Sequence, residues 1–326
     1  MKVGIPRALL YYQYYPLWRT YFEELGVEVV VSPPTTQAML AQGSARVVAE
    51  TCLPAKLFLG HVLALAGKCD SVFIPVVRSM KSKVYNCSKF LGLPDMTRAA
   101  IPESPPVIDV EIDINKGEGK VYQAIYELGR NFTSSARQIR RAYRAGWRAF
   151  DEYRARMARE QLTPPEALGE GRPRPAGKAP ARSTIALIGH PYLLYDEYVS
   201  HRLISRLERA GCRVVTPEMV SAEQLDGAVE RLVGRAYWSY EEEVVGAGGH
   251  YLAGGVDGVI GIMAFGCGPD SLMMDVVRRQ AARARGALFM GLTLEEHTAE
   301  AGVVTRLEAF VDMLQRKKEA PAARCA

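Results

Sequence analysis

Residues 3–12 (VGIPRALLYY) and 185–196 (IALIGHPYLLYD) read alike. In each, a short apolar run meets a proline and continues into leucines and tyrosines. A second pair follows the same order. Residues 24–33 (ELGVEVVVSP) and 209–218 (RAGCRVVTPE) each pass from a helical pattern through a glycine to a β-branched strand that a proline stops. Working outward, strands are predicted over 3–6, 27–31, 46–50 and 71–77 in the first copy, and over 184–189, 213–216, 256–263 and 287–292 in the second. Helical periodicity covers 14–25, 54–66, 197–210 and 269–284. Strands that alternate with helices and are apolar throughout belong to parallel sheets covered on both faces. The expectation is an α/β chain made of two related units.

Three further segments complete the organisation. Between the copies, 120–161 carries the stripe Tyr122, Ile125, Leu128, Phe132, Ile139, Tyr143, Trp147 and Phe150, which predicts one or two long amphipathic helices. Residues 163–182 are rich in Pro, Gly, Ala and Arg without hydrophobic period and read as a linker. The expected division is therefore 1–118, a helical and linker region over 119–182, 183–318, and a disordered tail over 319–326.

The chain has 326 residues, 48% of them hydrophobic, and a net charge of +5. Length and composition are those of a globular protein of two domains. No apolar run is long enough to span a membrane. The opening MKVGIPRALL lacks the apolar core of a signal peptide, so a cytoplasmic location is expected. Nine arginines fall between residues 130 and 159. No nucleic-acid motif accompanies them, so the reading is a solvated helix face or a surface for an acidic partner.

Six cysteines in a reducing compartment call for something other than disulfides. Cys52 and Cys267 each stand in a C-x-P step, Cys52-Leu53-Pro54 and Cys267-Gly268-Pro269, read as a strand followed by a helix start. Proline is favoured in the first helical turn, and the sulfur before it faces free backbone N–H groups at the positive end of the helix dipole. That setting is expected to lower the thiol pKa and favour a metal-binding thiolate. Cys87, in Tyr85-Asn86-Cys87, follows the strand over 71–77. All three would then meet where ligands bind in open α/β sheets, beyond the carboxyl ends of the strands. The plain alternative is three inert core thiols. On this reading Cys52 and Cys267 are equivalent and Cys87 breaks the symmetry. Cys69 and Cys212 precede strands at the opposite edge and read as core, and Cys325 lies in the tail.

Glu50, Lys56 and Tyr85 flank the cysteines and are candidates to contact the bound group or its substrate. His297, after the last strand, is a candidate proton donor. The glycine clusters at 246–249 and 254–255 match neither phosphate-binding fingerprint, so no ATP site is expected in this chain.

At these residues the chain resembles a known family. KVGIPRALLYY, ETCLPAKLFLGHV, CDSVFIPVVRS, YNCSKFLGLPD, FGCGPDS and EEHTAEAGVVTRLEAFVDML occur in order and resemble the 2-hydroxyacyl-CoA dehydratase and benzoyl-CoA reductase superfamily, in its stand-alone, activase-associated branch. The resemblance implies two flavodoxin-like domains with added helices. It implies a 4Fe–4S cluster held by three cysteines, here Cys52, Cys87 and Cys267, with one iron left open. It implies a separate ATP-hydrolysing activase as electron donor. In the dehydratases the delivered electron makes a ketyl radical of a CoA thioester. Relatives with double-cubane clusters reduce small molecules instead. The implied function is a dehydratase or reductase acting on a CoA thioester or other small molecule, as a homodimer or beside a related subunit. The alternatives are an electron-transfer or assembly partner without its own substrate, and a double-cubane reductase.

Overall fold

The structure is a computed structural model that describes residues 1–171, 181–284 and 287–319. The first unit runs β1 (Lys2–Ile5), α1 (Tyr11–Glu24), β2 (Glu28–Val31), α2 (Gln37–Ser44), α3 (Leu53–Leu63), β3 (Ser71–Ser79), α4 (Ser88–Leu91), α5 (Leu93–Ala100) and β4 (Val107–Asp113). Then come α6 (Glu118–Arg130), α7 (Ala136–Glu160) and α8 (Pro164–Ala167). The second unit runs β5 (Ser183–Ile188), α9 (Pro191–Leu194), α10 (Leu203–Arg209), β6 (Cys212–Val215) and α11 (Ala222–Val233). A π-helical turn (Glu242–Gly246) leads into α12 (Ala247–Ala253), β7 (Gly258–Ala264), α13 (Gly268–Arg283), β8 (Leu288–Leu294) and α14 (Glu300–Glu319).

Both sheets are four-stranded and wholly parallel, in the orders β2-β1-β3-β4 and β6-β5-β7-β8. This is the flavodoxin-like winding, with its switch point between β1 and β3 and again between β5 and β7. The repeat seen in the sequence is thus real at the level of topology. The strands stay apolar because helices cover both faces. Val72, Ile74, Ile185 and Leu187 are fully buried.

The helical region between the units is built onto the first. α6 packs against β4, and α7 lies along α1. Ile139, Ala142, Gly146 and Phe150 form the buried face of α7, while Arg137, Arg140, Arg144 and Arg148 are exposed. Gly146 is needed there, because a Cβ would come 2.9 Å from the Leu17 carbonyl oxygen of α1. The arginine-rich segment is therefore an amphipathic helix with a solvated cationic side. A single hydrophobic cluster contains Val3, Phe22 and Ile74 from the first unit and Ile185, Leu187 and Ile260 from the second, so the two sheets share one core.

The elements differ from expectation in three places. Residues 46–50 form turns, not a strand, with Arg46 N–H bonded to Gly43 O and Thr51 N–H to Val48 O. Their backbone groups are taken up by these local turn bonds rather than by a neighbouring strand, and Val48 stays exposed. The helix expected over 197–210 begins only at Leu203. Asp196 Oδ1 accepts from the N–H groups of Tyr198 and Val199, and His201 and Arg202 take positive φ, which breaks the helix before it starts. β4, unforeseen in the sequence, completes the first sheet. Cys325, the centre of the linker (172–180) and residues 285–286 lie outside the described residues, as does all of the expected tail but Glu319.

Candidate metal centre

Three helices begin at a cysteine. Cys52 is the N-cap of α3, Cys87 of α4 and Cys267 of α13, each with extended φ and ψ and no side-chain cap bond. At such a position the first backbone N–H groups of the helix point past the cap residue. Backbone N–H groups of Ala55 and Asp270 reach the sulfurs of Cys52 and Cys267 respectively. Each of the three side chains is only partly buried. They are neighbours: the charge of Cys87 acts on Cys52, and those of Cys52 and Cys87 both act on Cys267.

The symmetry of the cysteines is not the expected one. β3 and β7 hold the same position in their sheets, and Cys87 follows β3 as Cys267 follows β7. Cys87 and Cys267 are the equivalent pair, and Cys52 is the addition, set after α2 and a turn. The shared C-x-P step misled, because proline marks a helix start wherever one occurs.

The thiol pKa values also move opposite to expectation. Burial pushes Cys52 up. Burial, with the charge of Asp270 and of the other two sulfurs, pushes Cys267 up to about 12. The helix N-termini oppose this shift and do not overcome it. Cys52 and Cys267, both pushed up, are thiols that a bound cation would help to ionise. Soft sulfur donors with backbone N–H groups beside them fit an iron–sulfur cluster. Among the described residues, no group of three or more His, Cys, Asp or Glu side chains is already placed to hold a metal ion.

Around the cysteines stand groups that sequence reading passed over. The Lys89 ammonium opposes the upward shift of Cys52. Tyr192 senses the charges of Cys87 and Cys267. His190 Nδ1 lies 2.8 Å from Asp270 Oδ1 and 2.8 Å from the Tyr192 hydroxyl. Asp270 is fixed by accepting from Ala264 N–H at 3.0 Å. The one signal available was position, since His190 follows β5 at the switch point.

The four flanking candidates lie as follows. Lys56 is buried and turned to Glu296 Oε2 at 2.7 Å and Ala49 O at 2.8 Å, which ties α3 to the segment after β8. His297 is 80% exposed, with Glu296 Oε1 at 3.4 Å. Glu50 is exposed in a turn. Tyr85 is exposed, and its backbone pairs with the stretch around Trp238 of the second unit. Cys212 is buried and Cys69 is half-buried against Gly4, both packed on the core.

A cavity of 920 Å³ opens between the two units, bounded by Arg7, Tyr12, Thr35, Leu53 and Asp196. Eight carboxylate side chains line it, against three guanidinium groups. Thr35 and Asp196 of its wall belong to a polar chain joining the units. Ser32 Oγ lies 2.8 Å from His61 Nδ1, His61 Nε2 lies 2.8 Å from Thr35 Oγ1, and Thr35 donates to Asp196. Burial, helped by the Arg7 charge, pushes His61 down to about 4, so the ring is neutral at pH 7. The consequence for stability has a definite sign. Between about pH 6.5, the ordinary histidine value, and about pH 4, only the unfolded chain binds this proton, so stability falls as pH falls through that window. Urea unfolding at pH 7, 5.5 and 4.5 should show a His61→Gln variant losing less stability across the window than the wild type.

The CoA enzyme activase uncharacterised domain (DUF2229) matches residues 2–220. The chain belongs to this family. The match agrees with the activase-associated resemblance and ends just past β6, so it includes Cys52 and Cys87 and stops short of Cys267. No curated protein matches the chain. In this member of the CoA enzyme activase domain family, no helix among the described residues is long and apolar enough to cross a membrane.

Proposed function

We propose that Cys52, Cys87 and Cys267 hold a 4Fe–4S cluster, that a separate ATP-hydrolysing activase reduces it at low potential, and that the chain is a dehydratase- or reductase-type enzyme acting on a small molecule. The observation that carries this reading is the convergence of three helix-capping cysteines that feel one another's charge beyond the carboxyl edges of both sheets. Bound there, the cluster would supply a low-potential electron and a Lewis-acidic iron for a substrate.

The chain's own residues would do the rest. Backbone N–H groups at the three helix starts stabilise charge on the sulfurs. Lys89 offsets negative charge beside Cys52. The neighbouring 920 Å³ cavity is large enough for a small substrate, and its carboxylate-rich lining favours one that carries little negative charge. A CoA thioester would have to keep its phosphates outside that cavity. Three thiols suit one cubane per chain, and a double cubane would draw on a second copy or a related subunit.

The test is spectroscopic. Protein reconstituted without oxygen should bind about four iron per chain, and added small ligands should perturb the EPR signal of the reduced cluster. Iron content near zero would overturn the cluster. A full cluster indifferent to every ligand would overturn the substrate role in favour of electron transfer alone.

A further inference from the structure

The π-helical turn Glu242–Gly246 widens the backbone by one residue, a local departure that concentrates at functional sites. It carries Glu243 into the seam between the two units. There Glu243 Oε1 accepts from Gln13 Nε2 of α1 at 3.3 Å. Tyr14 of α1, Arg154 of α7, Glu218 after β6, and Tyr240 and Glu242 from its own segment are the charged and titratable groups that face it. Three polar atoms in this seam are buried without a hydrogen-bond partner: Glu243 Oε2, Glu218 Oε1 and the Tyr240 hydroxyl oxygen.

A buried carboxylate oxygen without a donor is costly, and a proton removes that cost. Burial pushes Glu243 up to about 8 despite the Arg154 charge, so it is a neutral acid at pH 7. Tyr240 precedes this acid by three residues, and its ring packs 6.1 Å from Phe90 in α4, the helix that Cys87 begins. Its hydroxyl senses the charges of Glu243, Cys87 and Glu218, and its ring lies 4.4 Å, edge to face, from His190. Arg154 is exposed, so the far end of the series reaches solvent.

We propose that Glu243 and Tyr240 form a buried proton relay from the Arg154 side of the seam to the cysteine site. This rests on reading the cysteines as a site that changes charge. When negative charge arrives there, the Tyr240 O–H proton moves toward the site, where a sulfur or a substrate oxygen accepts it. Tyr240 regains a proton from Glu243, and the Glu243 carboxylate is reprotonated from solvent past Glu218 and Arg154. One proton enters for each negative charge, and each relay group ends as it began. Buried water bridging the three unpartnered atoms would complete the path.

The test uses the full chain without iron and cadmium(II) as the thiol-binding probe, followed by infrared spectroscopy. At pH 7 the wild type should show the carbonyl stretch of a protonated carboxylic acid that disappears with a midpoint near 8 and is absent in Glu243→Gln. Glutamine matches the neutral acid in shape, so this variant should fold. Cadmium binding should move the midpoint by about one pH unit, a tenfold change in proton affinity. In Tyr240→Phe the band should persist but no longer respond to cadmium. A Glu243 that is ionised at pH 7 overturns the relay, and so does an equal cadmium response in Tyr240→Phe. Failure of the chain to take up iron would count against the cluster and leave these two outcomes to decide the relay.

Discussion

Cys267→Ser should lower the iron content of anaerobically reconstituted protein from about four to less than about one per chain, the values expected for a three-thiolate cubane and for its loss. Serine is a hard oxygen donor whose proton is held far more tightly than that of a thiol, and it does not replace a thiolate on iron. Loss of fold would be the obvious objection, and the geometry answers it. Cys267 caps α13 with extended backbone and no side-chain cap bond, and serine is among the preferred residues at that position. The variant should therefore melt no lower than wild type while binding no cluster. Cys52→Ser and Cys87→Ser should behave alike, since both sit at N-caps. Cys69→Ser should keep its iron, because that sulfur packs against Gly4 at the opposite strand edge. Iron and sulfide assays with EPR of the reduced protein decide the matter, and a Cys267→Ser protein with unchanged iron would sink the ligand assignment.

Gly60→Ala should destabilise the protein by about 3 kcal/mol, the upper end for forcing atoms into a packed interior. α2 and α3 cross at two glycines. A Cβ at Gly60 would lie 2.1 Å from Met39 O, and one at Gly43 would lie 1.9 Å from Lys56 O. Both obstacles are backbone, so no rotamer change relieves them. The helices would have to part, and Cys52 would move with the start of α3. A loss of iron affinity should therefore accompany the fall in melting temperature. Gly119→Ala in α6 is the control, because nothing lies within 4 Å of its added carbon, and it should be neutral or slightly stabilising. Thermal melts of the two variants beside wild type test the contrast. A Gly60→Ala protein as stable as wild type would mean the crossing is looser than its geometry.

The parallel sheets were legible because their strands are short, apolar and bounded by Gly and Pro, as in residues 27–33 and 212–217. The same rule produced a false strand at 46–50. A run of Val-Val-Ala carries no record of whether its backbone will pair with a strand or close on itself in turns. β4 was missed because its sequence, VIDVEID, alternates apolar with acidic residues while its burial follows from the α5 and α6 cover. Cysteine positions could be read, but their equivalence could not. Strand order decides that Cys87 matches Cys267, and order is a property of three-dimensional winding. The groups beside the cysteines, His190, Tyr192, Tyr240 and Asp270, come from four separate segments, and no spacing in the chain brings them together. Thiol pKa values likewise depend on how many neighbours share the burial, which no local motif encodes.

The shared core has a mechanical consequence. A flavodoxin-like unit joined to another by a free linker could swing open like a hinge to admit a partner. Here any such swing would part Tyr12 from Tyr195 and Phe90 from Tyr192 and Tyr240, at about 25 cal/mol for each Å² uncovered. Two sheets welded in this way behave as a fixed jaw. The distances among Cys52, Cys87 and Cys267 are then set by the whole molecule at once. Whatever delivers charge or substrate must fit the mouth as it stands, so recognition falls to rigid shape and surface charge rather than to closure of the units around a guest.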